Sequence, residues 1–377
     1  MPGRLFPLGG PVSERDIVDR EDFIQSLEIR LGNGHSIVLS GPRRIGKTSI
    51  ALEVLRRLKA KGYYVGFVDL FRLTSKRELA DEILNACLEN RSGISKTTAV
   101  LKDGLKKIAG SAKIRTKMQD LDIELALGLQ KDDKNDDELL SYAFQLPERM
   151  AKRDKKNFVL VFDEFQDVIQ IAGENTLKLM RSYFQMQENV TYLFLGSKQG
   201  MMNTIFGSKN QAFYRFATNL PIPPIPTEAW RKYIKTKLNK SNINVSDRII
   251  NEILNLSGGH PQDTMLLCTE IHYAMLEVGE KSINLDLVQL GYERALLTLS
   301  PVFDELLDEL EQTANTKHVL ICLAKGFHIY RKDKNPNDIK RAVDALLAKA
   351  IIEKKGRGKY LFVEPMLKDY LINKVEV

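Results

Sequence analysis

The sequence predicts an α/β protein, a mostly parallel sheet with helices on both faces, followed by smaller helical units. Three observations carry this. Strand-like and helix-like stretches alternate through about the first 220 residues. The stretch "HSIVLSGPRRIGKTSIALEVL", His35 to Leu55, runs from an apolar strand through a loop with two glycines, a proline and three cations straight into a helix. Finally, "NFVLVFDEF" ends an apolar strand on two adjacent carboxylates.

The first strand is "SIVLS" (36–40), and the loop after it satisfies G-x-x-x-x-G-K-[ST] through Gly41, Gly46, Lys47 and Thr48. Glycines there let backbone N–H groups turn inward around phosphates, and the positive end of the following helix adds to the field. Gly41, Pro42, Arg43, Arg44, Ile45, Gly46, Lys47, Thr48 and Ser49 are therefore the candidate phosphate-binding residues of an ATP or ADP site. Lys47 supplies a cation for the β- and γ-phosphates, and the Thr48 hydroxyl suits a Mg²⁺ ligand. Arg43 and Arg44 at the apex have three readings: a phosphate contact, a neighbouring domain, or solvent. Ile50, Ala51, Val54, Leu55 and Leu58 give the exiting helix a buried stripe.

The second strand is "YYVGFVDL" (63–70). A long interruption follows, in which "DLDIELALGL" (120–129) alternates as a side hairpin would and "QKDDKNDDE" reads as an exposed loop. The third strand, within "NFVLVFDE" (157–164), is apolar enough to be buried on both faces. At its end Asp163 can hold a Mg²⁺-coordinated water, and Glu164 is placed to orient and activate the attacking water. In isolation this acidic pair reads equally as a strand-end cap; beside a phosphate loop the chemical reading prevails. The fourth strand, "TYLFLGS" (191–197), ends on Ser197, which fits the polar residue that related ATPases present near the γ-phosphate, or is a serine in a turn. The fifth is "RFATNLPI" (215–222).

"PIPPIPTEAW" (221–230) breaks the pattern, because its prolines fix φ and remove backbone donors. A boundary there gives three domains: 1–226 around the phosphate loop, 227–300 as a helical lid, and 301–377. In the second, Ile249, Ile253, Leu254 and Leu256 share a helix face that Gly258 and Gly259 end. The third reads as helices, then "AIIEKKGRGKYLFVEP" as a hairpin around Gly356 and Gly358, then a closing helix. That order resembles a winged helix.

Two or three domains suit 377 residues, and 43% hydrophobic with 28% charged content is ordinary for a folded soluble chain. No signal-like N-terminus or run of about 18 apolar residues occurs, so the reading is cytoplasmic, with no membrane partner. Cys87, Cys268 and Cys322 are scattered among aliphatic residues and read as buried thiols. The net charge of +7 is localised. Lys317 to Val377 holds 14 Lys and Arg against 7 Asp and Glu, while the rest of the chain holds 42 of each sign. Such a tail can attract a polyanion such as double-stranded DNA, or be a solvated Lys-rich face.

Together these residues resemble the archaeal-type ATPase family, a branch of the AAA+ and signal-transducing P-loop NTPases. "IVDREDFIQSL" is similar to its entry motif, "LSGPRRIGKTSI" to its P-loop, "VFDEFQ" to its metal motif, "LFLGSKQGMM" and "YRF" to the next two stations, and "LSGGHP" to its helical-domain signature. The resemblance implies five parallel strands in the order 5-1-4-3-2, a helical lid and a C-terminal winged helix. It implies that Val18 to Arg20 and Pro261 lie near the adenine, and Arg215 stands close to where relatives carry an arginine finger, without matching their pattern. The chain departs from the pattern twice: Tyr214 is followed directly by Arg215 without the intervening glycine of many relatives, and Gln262 stands where many place a nucleotide-sensing arginine. That implies slow hydrolysis or a contribution from a second chain.

The functional expectation is an ATP-binding, Mg²⁺-dependent ATPase acting as a nucleotide-driven switch, with Glu164, Lys47, Ser197 and Arg215 as catalytic candidates and Thr48 and Asp163 on the metal. The alternative is a nucleic-acid-binding regulator in which nucleotide is structural, using Lys340, Arg341, Lys349, Lys354, Lys355, Arg357 and Lys359. A protein partner or a second copy fits either reading. A phosphotransferase lacks an identifiable acceptor site and conflicts with Glu164.

Overall fold

The strands form where β-branched and aromatic residues run together, and their burial on both faces requires helices above and below. The computed structural model describes residues 5–90, 136–311, 313–330, 334–356 and 358–374. Its first half contains α1 (Glu21–Gly32), β1 (Ile37–Ser40), α2 (Lys47–Ala60), β2 (Tyr64–Asp69), α3 (Lys76–Leu88), α4 (Asp136–Asp154), β3 (Phe158–Asp163), α5 (Val168–Ala172), α6 (Glu174–Phe184), β4 (Val190–Gly196), α7 (Gln199–Gly207) and β5 (Thr218–Asn219). The five strands pair in parallel in the order β2-β3-β4-β1-β5, which is 5-1-4-3-2 read from the other edge.

Every residue of β3 and β4 is buried. Val159, Val161, Leu193 and Leu195 join Ile37 and Leu39 under α1 and α2, while Phe158, Phe162, Tyr192 and Phe194 pack with α3, α4 and α6 on the opposite face. This double cover fixes the C-terminal ends of β1, β3 and β4 side by side, and the candidate site is built there.

The structure corrects two local expectations. The fifth strand keeps only Thr218–Asn219, held by Thr218 N–H to Ser36 O at 3.0 Å and Leu220 N–H to Val38 O at 2.9 Å. Arg215 has φ 56°, in the left-handed region, and donates its N–H to Phe206 O, so the chain is still turning where the strand was expected to begin. Residues 136–138 of the expected acidic loop instead form the first turn of α4, where Asp136, Asp137 and Glu138 meet the positive end of the helix dipole. The alternating stretch 120–129 lies outside the described residues.

After the extended residues 220–226 come α8 (Thr227–Asn239), α9 (Asp247–Ser257), α10 (Pro261–Val278) and α11 (Leu285–Glu311), then α12 (Thr316–Ala324), α13 (Pro336–Ala348), the antiparallel pair β6 (Ile352–Gly356) and β7 (Lys359–Phe362), and α14 (Pro365–Lys374). Gly258, at φ 59°, ends α9 in the left-handed conformation glycine tolerates best. Helix α11 runs unbroken through Ser300 and Pro301, and one continuous core joins Trp230 and Ile250 to Val319, Leu346 and Leu371. Phe6 enters that same core, edge-on to Tyr233.

Two glycines seat the C-terminal elements. A Cβ on Gly200 in α7 would come within 2.8 Å of the Ala348 Cβ at the end of α13. One on Gly258 would come within 2.4 Å of the Pro365 Cγ. Cys87, Cys268 and Cys322 are all buried, and burial pushes the Cys87 and Cys268 thiols up. Among the described residues no helix is long and apolar enough to cross a membrane.

Candidate functional site

The loop between β1 and α2 turns tightly because its glycines leave room. A Cβ on Gly41 would come within 2.7 Å of Ile45 Cδ1, and Gly46 sits at φ 95°. Lys47 opens α2 with its side chain buried and folded back, donating to the Gly41 carbonyl at 2.8 Å and the Pro42 carbonyl at 2.6 Å. Burial lowers its pKa to about 8, against the opposing fields of Glu164 and Asp163.

The ends of β3 and β4 face this loop. Thr48 Oγ1 donates to Asp163 Oδ2 at 2.7 Å, and Asp163 Oδ1 accepts from the Glu164 N–H at 2.9 Å. Burial, aided by Glu164, pushes the Asp163 carboxyl up and outweighs the Thr48 bond. Glu164 has φ 50°, a left-handed backbone that costs about 1–3 kcal/mol and persists only where its surroundings enforce it. Three donors converge on its Oε2: Gln166 Nε2 at 2.6 Å, Ser197 Oγ at 2.7 Å and Ser197 N–H at 3.0 Å. Burial would raise this carboxyl, but these bonds and the Lys47 charge outweigh it and hold Glu164 below the usual carboxylate range.

A cavity of about 560 Å³ lies over the loop. Val18, Arg20, Arg43, Arg44, Ile45, Gly46, Lys47, Thr48, Ser49, Glu164 and Pro261 all line it, so most candidates scattered from 18 to 261 converge on one space. Arg20 is buried, its Nη1 has no hydrogen-bond partner among the described residues, and burial lowers its pKa. Gly41 anchors the loop by donating to Gly196 O at 3.2 Å, and Pro42 lines a second cavity together with Ser197. Arg215 is not brought to either cavity; it is exposed, with its guanidinium over the Tyr214 ring.

Sequence reasoning missed part of the wall. Residues 7–12 line the cavity, tied down by buried Phe6 at one end and by Val12 N–H to Ser49 Oγ at 3.0 Å at the other. "PLGG" carries no periodicity that would announce this. Phe71, after β2, and Trp230 and Met265 from the helical half complete the lining. Gln166 was within reach, since it follows the acidic pair by two residues.

This parallel sheet, with a phosphate-type loop after its first strand and an acidic pair two strands away, defines the class of P-loop NTPases. A family model described as an ATPase domain predominantly from Archaea matches residues 17–267, and the chain belongs to that family. No curated protein sequence matches it. Among solved structures it is similar to a Walker-type ATPase of Pyrococcus abyssi, at 19% identity over 98% of this chain and 99% of that one, TM-score 0.74. It is also similar to the ORC2 protein of Aeropyrum pernix, solved in ADPNP–ADP complexes, at 13% identity over 99% and 97% of the chains, TM-score 0.60. Cdc6p from Pyrobaculum aerophilum follows at 13% identity, with 99% and 97% covered and a TM-score of 0.52. At these identities the likeness is one of fold.

Proposed function

We propose that the chain binds ATP and hydrolyses it with Mg²⁺, and that the nucleotide acts as a switch on the helical and C-terminal parts. The observation that carries this reading is the linked set Thr48, Asp163, Glu164 and Ser197 beside a cavity lined by Lys47. A hydroxyl and a carboxylate already within hydrogen-bond distance are the hard oxygen donors that Mg²⁺ takes, with phosphate oxygens completing its shell. When bound, the ion would neutralise charge between the β- and γ-phosphates. Lys47 exchanges its two loop carbonyls for phosphate oxygens. Glu164 stays ionised at neutral pH and accepts a proton from the attacking water, while Ser197 and Gln166 fix its orientation. The binding of ADP and ADPNP by the Aeropyrum pernix relative agrees with this choice of ligand.

The lid 227–300 contributes Trp230, Pro261 and Met265 to the cavity wall, and α11 carries it into 301–377. Lid and C-terminal unit, which share one core, therefore move together against the sheet that carries the P-loop, biased by a γ-phosphate present in only one state. In this reading α12, α13, β6, β7 and α14 are a winged helix. Arg215, exposed outside the cavity, would serve a second copy of the chain. The test is ATP turnover by the purified protein with Mg²⁺ and with a chelator; no turnover, together with nucleotide affinity indifferent to Mg²⁺, would overturn it.

A second reading, DNA binding by the C-terminal unit, is favoured by the exposure of Lys340, Arg341, Lys354, Lys355 and Lys359 on one basic module.

A further inference from the structure

Between the P-loop half and the C-terminal elements lies a second cavity of about 750 Å³, lined among others by Pro42, Arg43, Ser197, Lys198, Lys349 and Glu364. Arg43 also lines the first cavity, so this residue stands in the wall between the candidate nucleotide space and the C-terminal unit. Glu364 sits between β7 and α14, immediately before the Pro365 that packs on Gly258. The backbone that carries it is thereby pressed against the lid's "LSGGHP" turn.

The surroundings of Glu364 are charged and buried. Asp263, in the first turn of α10, is fully buried, and among the described residues neither carboxylate oxygen has a hydrogen-bond partner. His260 Nδ1 lies 3.3 Å from its Oδ1 as an ion pair. Burial opposes a charge on His260, but Asp263, Glu364 and the Arg43 backbone outweigh it and raise its pKa. Burial and Asp263 push the Glu364 carboxyl up, while His260, Arg44 and Arg43 pull it back. Buried Asp263 and half-buried Glu364 thus share one imidazole, and Glu364 also feels the arginines at the apex of the P-loop, one of which, Arg43, lines the same cavity. A half-buried carboxylate beside buried Asp263 is costly when uncompensated, so the seat of the C-terminal unit depends on where those arginines point.

We infer that Glu364 is a positioning residue through which the C-terminal unit reads the P-loop: Arg43 is shared between the Glu364 carboxylate and the terminal phosphate of a bound nucleoside triphosphate. This rests on the ATP-binding reading above and specifies its relay. Among the three sequence readings of Arg43, it joins the phosphate contact to the neighbouring domain. With a triphosphate bound, Arg43 turns to the phosphate, Glu364 loses a positive neighbour, and the C-terminal unit loosens. With a diphosphate the arginine returns.

The experiment combines calorimetry with distance measurement. ATP and ADP affinities are measured for wild type, Glu364→Gln, Arg43→Ala and the double variant. Freed from competition, Glu364→Gln should bind ATP more tightly by about fivefold, the lower end of coupling between sites, with ADP less affected. In the Arg43→Ala background the same change should have no further effect. For distance, dyes on cysteines introduced at exposed Lys178 and Lys368 report the C-terminal seat; the three native cysteines are buried. The difference between ATP and ADP seen in wild type should vanish in Glu364→Gln. Additive effects on affinity, or a persisting difference in energy transfer, would overturn the relay. Should Glu364→Gln fail to fold, Arg43→Ala alone must abolish the energy-transfer difference, and its survival would overturn the relay equally. Lys47→Ala separates the two levels: retained ATP binding there means that the nucleotide reading has failed, whereas abolished binding with additive arms means that only the relay has.

Discussion

Lys47 is buried at the start of α2, and burial loosens its proton. Because burial lowers Lys47 to about 8, the charged form dominates below that pH and the neutral form above it. Phosphate selects the charged form. ATP affinity should therefore be level up to about pH 8 and then fall about tenfold per pH unit, as calorimetry across pH 6.5 to 9.5 would reveal; a flat profile would mean another cation carries the phosphate. Lys47→Ala should remove high-affinity binding altogether. Glu164→Gln keeps the shape of the side chain but cannot take a proton. ATP should still bind, with turnover lowered by roughly 10²-fold or more, and wild-type turnover would reduce Glu164 to a strand-end cap. That both residues would meet in one place was legible in the sequence because each is tied to fixed local spacing after a strand. The strap at residues 7–12 was harder to read, since its place beside the P-loop arises from backbone and side chains brought together across the fold.

At the scale of elements, glycines decide how closely the parts approach. Gly258 combines a left-handed φ of 59° with a neighbour, Pro365, that leaves no room for a Cβ. Gly279, at φ 77°, has the same backbone handicap but open space around it. The two alanine variants separate backbone strain from steric overlap. Gly279→Ala should cost about 1–2 kcal/mol in chemical denaturation, the penalty of a left-handed alanine. Gly258→Ala should cost more and also unseat α14, seen as faster proteolysis of the C-terminal unit; equal losses would mean that the packing of Pro365 on Gly258 contributes nothing. Strands β1 to β4 were readable as apolar runs, and α9 as an amphipathic stripe closed by Gly258. The fifth strand was overestimated because nothing in "RFATNLPI" announces the left-handed turn at Arg215. The start of α4 was missed because Asp136, Asp137 and Glu138 read as solvated charge until the helix behind them is known.

For the whole molecule the question is which surface the excess charge serves, and the structure divides the basic residues between two. Lys349 lines the second cavity and faces Glu309, so it belongs to the seat of the C-terminal unit on the P-loop half. Lys354, Lys355 and Lys359 on the β6–β7 hairpin are exposed, with Lys355 paired to neighbouring Glu353 at 3.0 Å, an exposed ion pair of little weight. Arg357 lies outside the described residues. Neutralising the three hairpin lysines together should therefore leave ATP affinity and basal turnover unchanged, because none of them lines either cavity. If the hairpin binds duplex DNA, the same variant should weaken binding equally for all sequences and flatten the salt dependence by about 0.9 in slope for each phosphate that a lysine no longer neutralises. Lys349→Ala is the contrasting variant: it should alter nucleotide affinity or turnover through the seat and leave the salt slope as it was. DNA titrations of wild type and both variants at several salt concentrations, repeated with ATP and ADP, decide the matter. A wild type without salt-dependent binding would make the hairpin a solvated basic face, and a shift in ATP affinity from the hairpin variant would mean that the hairpin itself rests on the ATPase body.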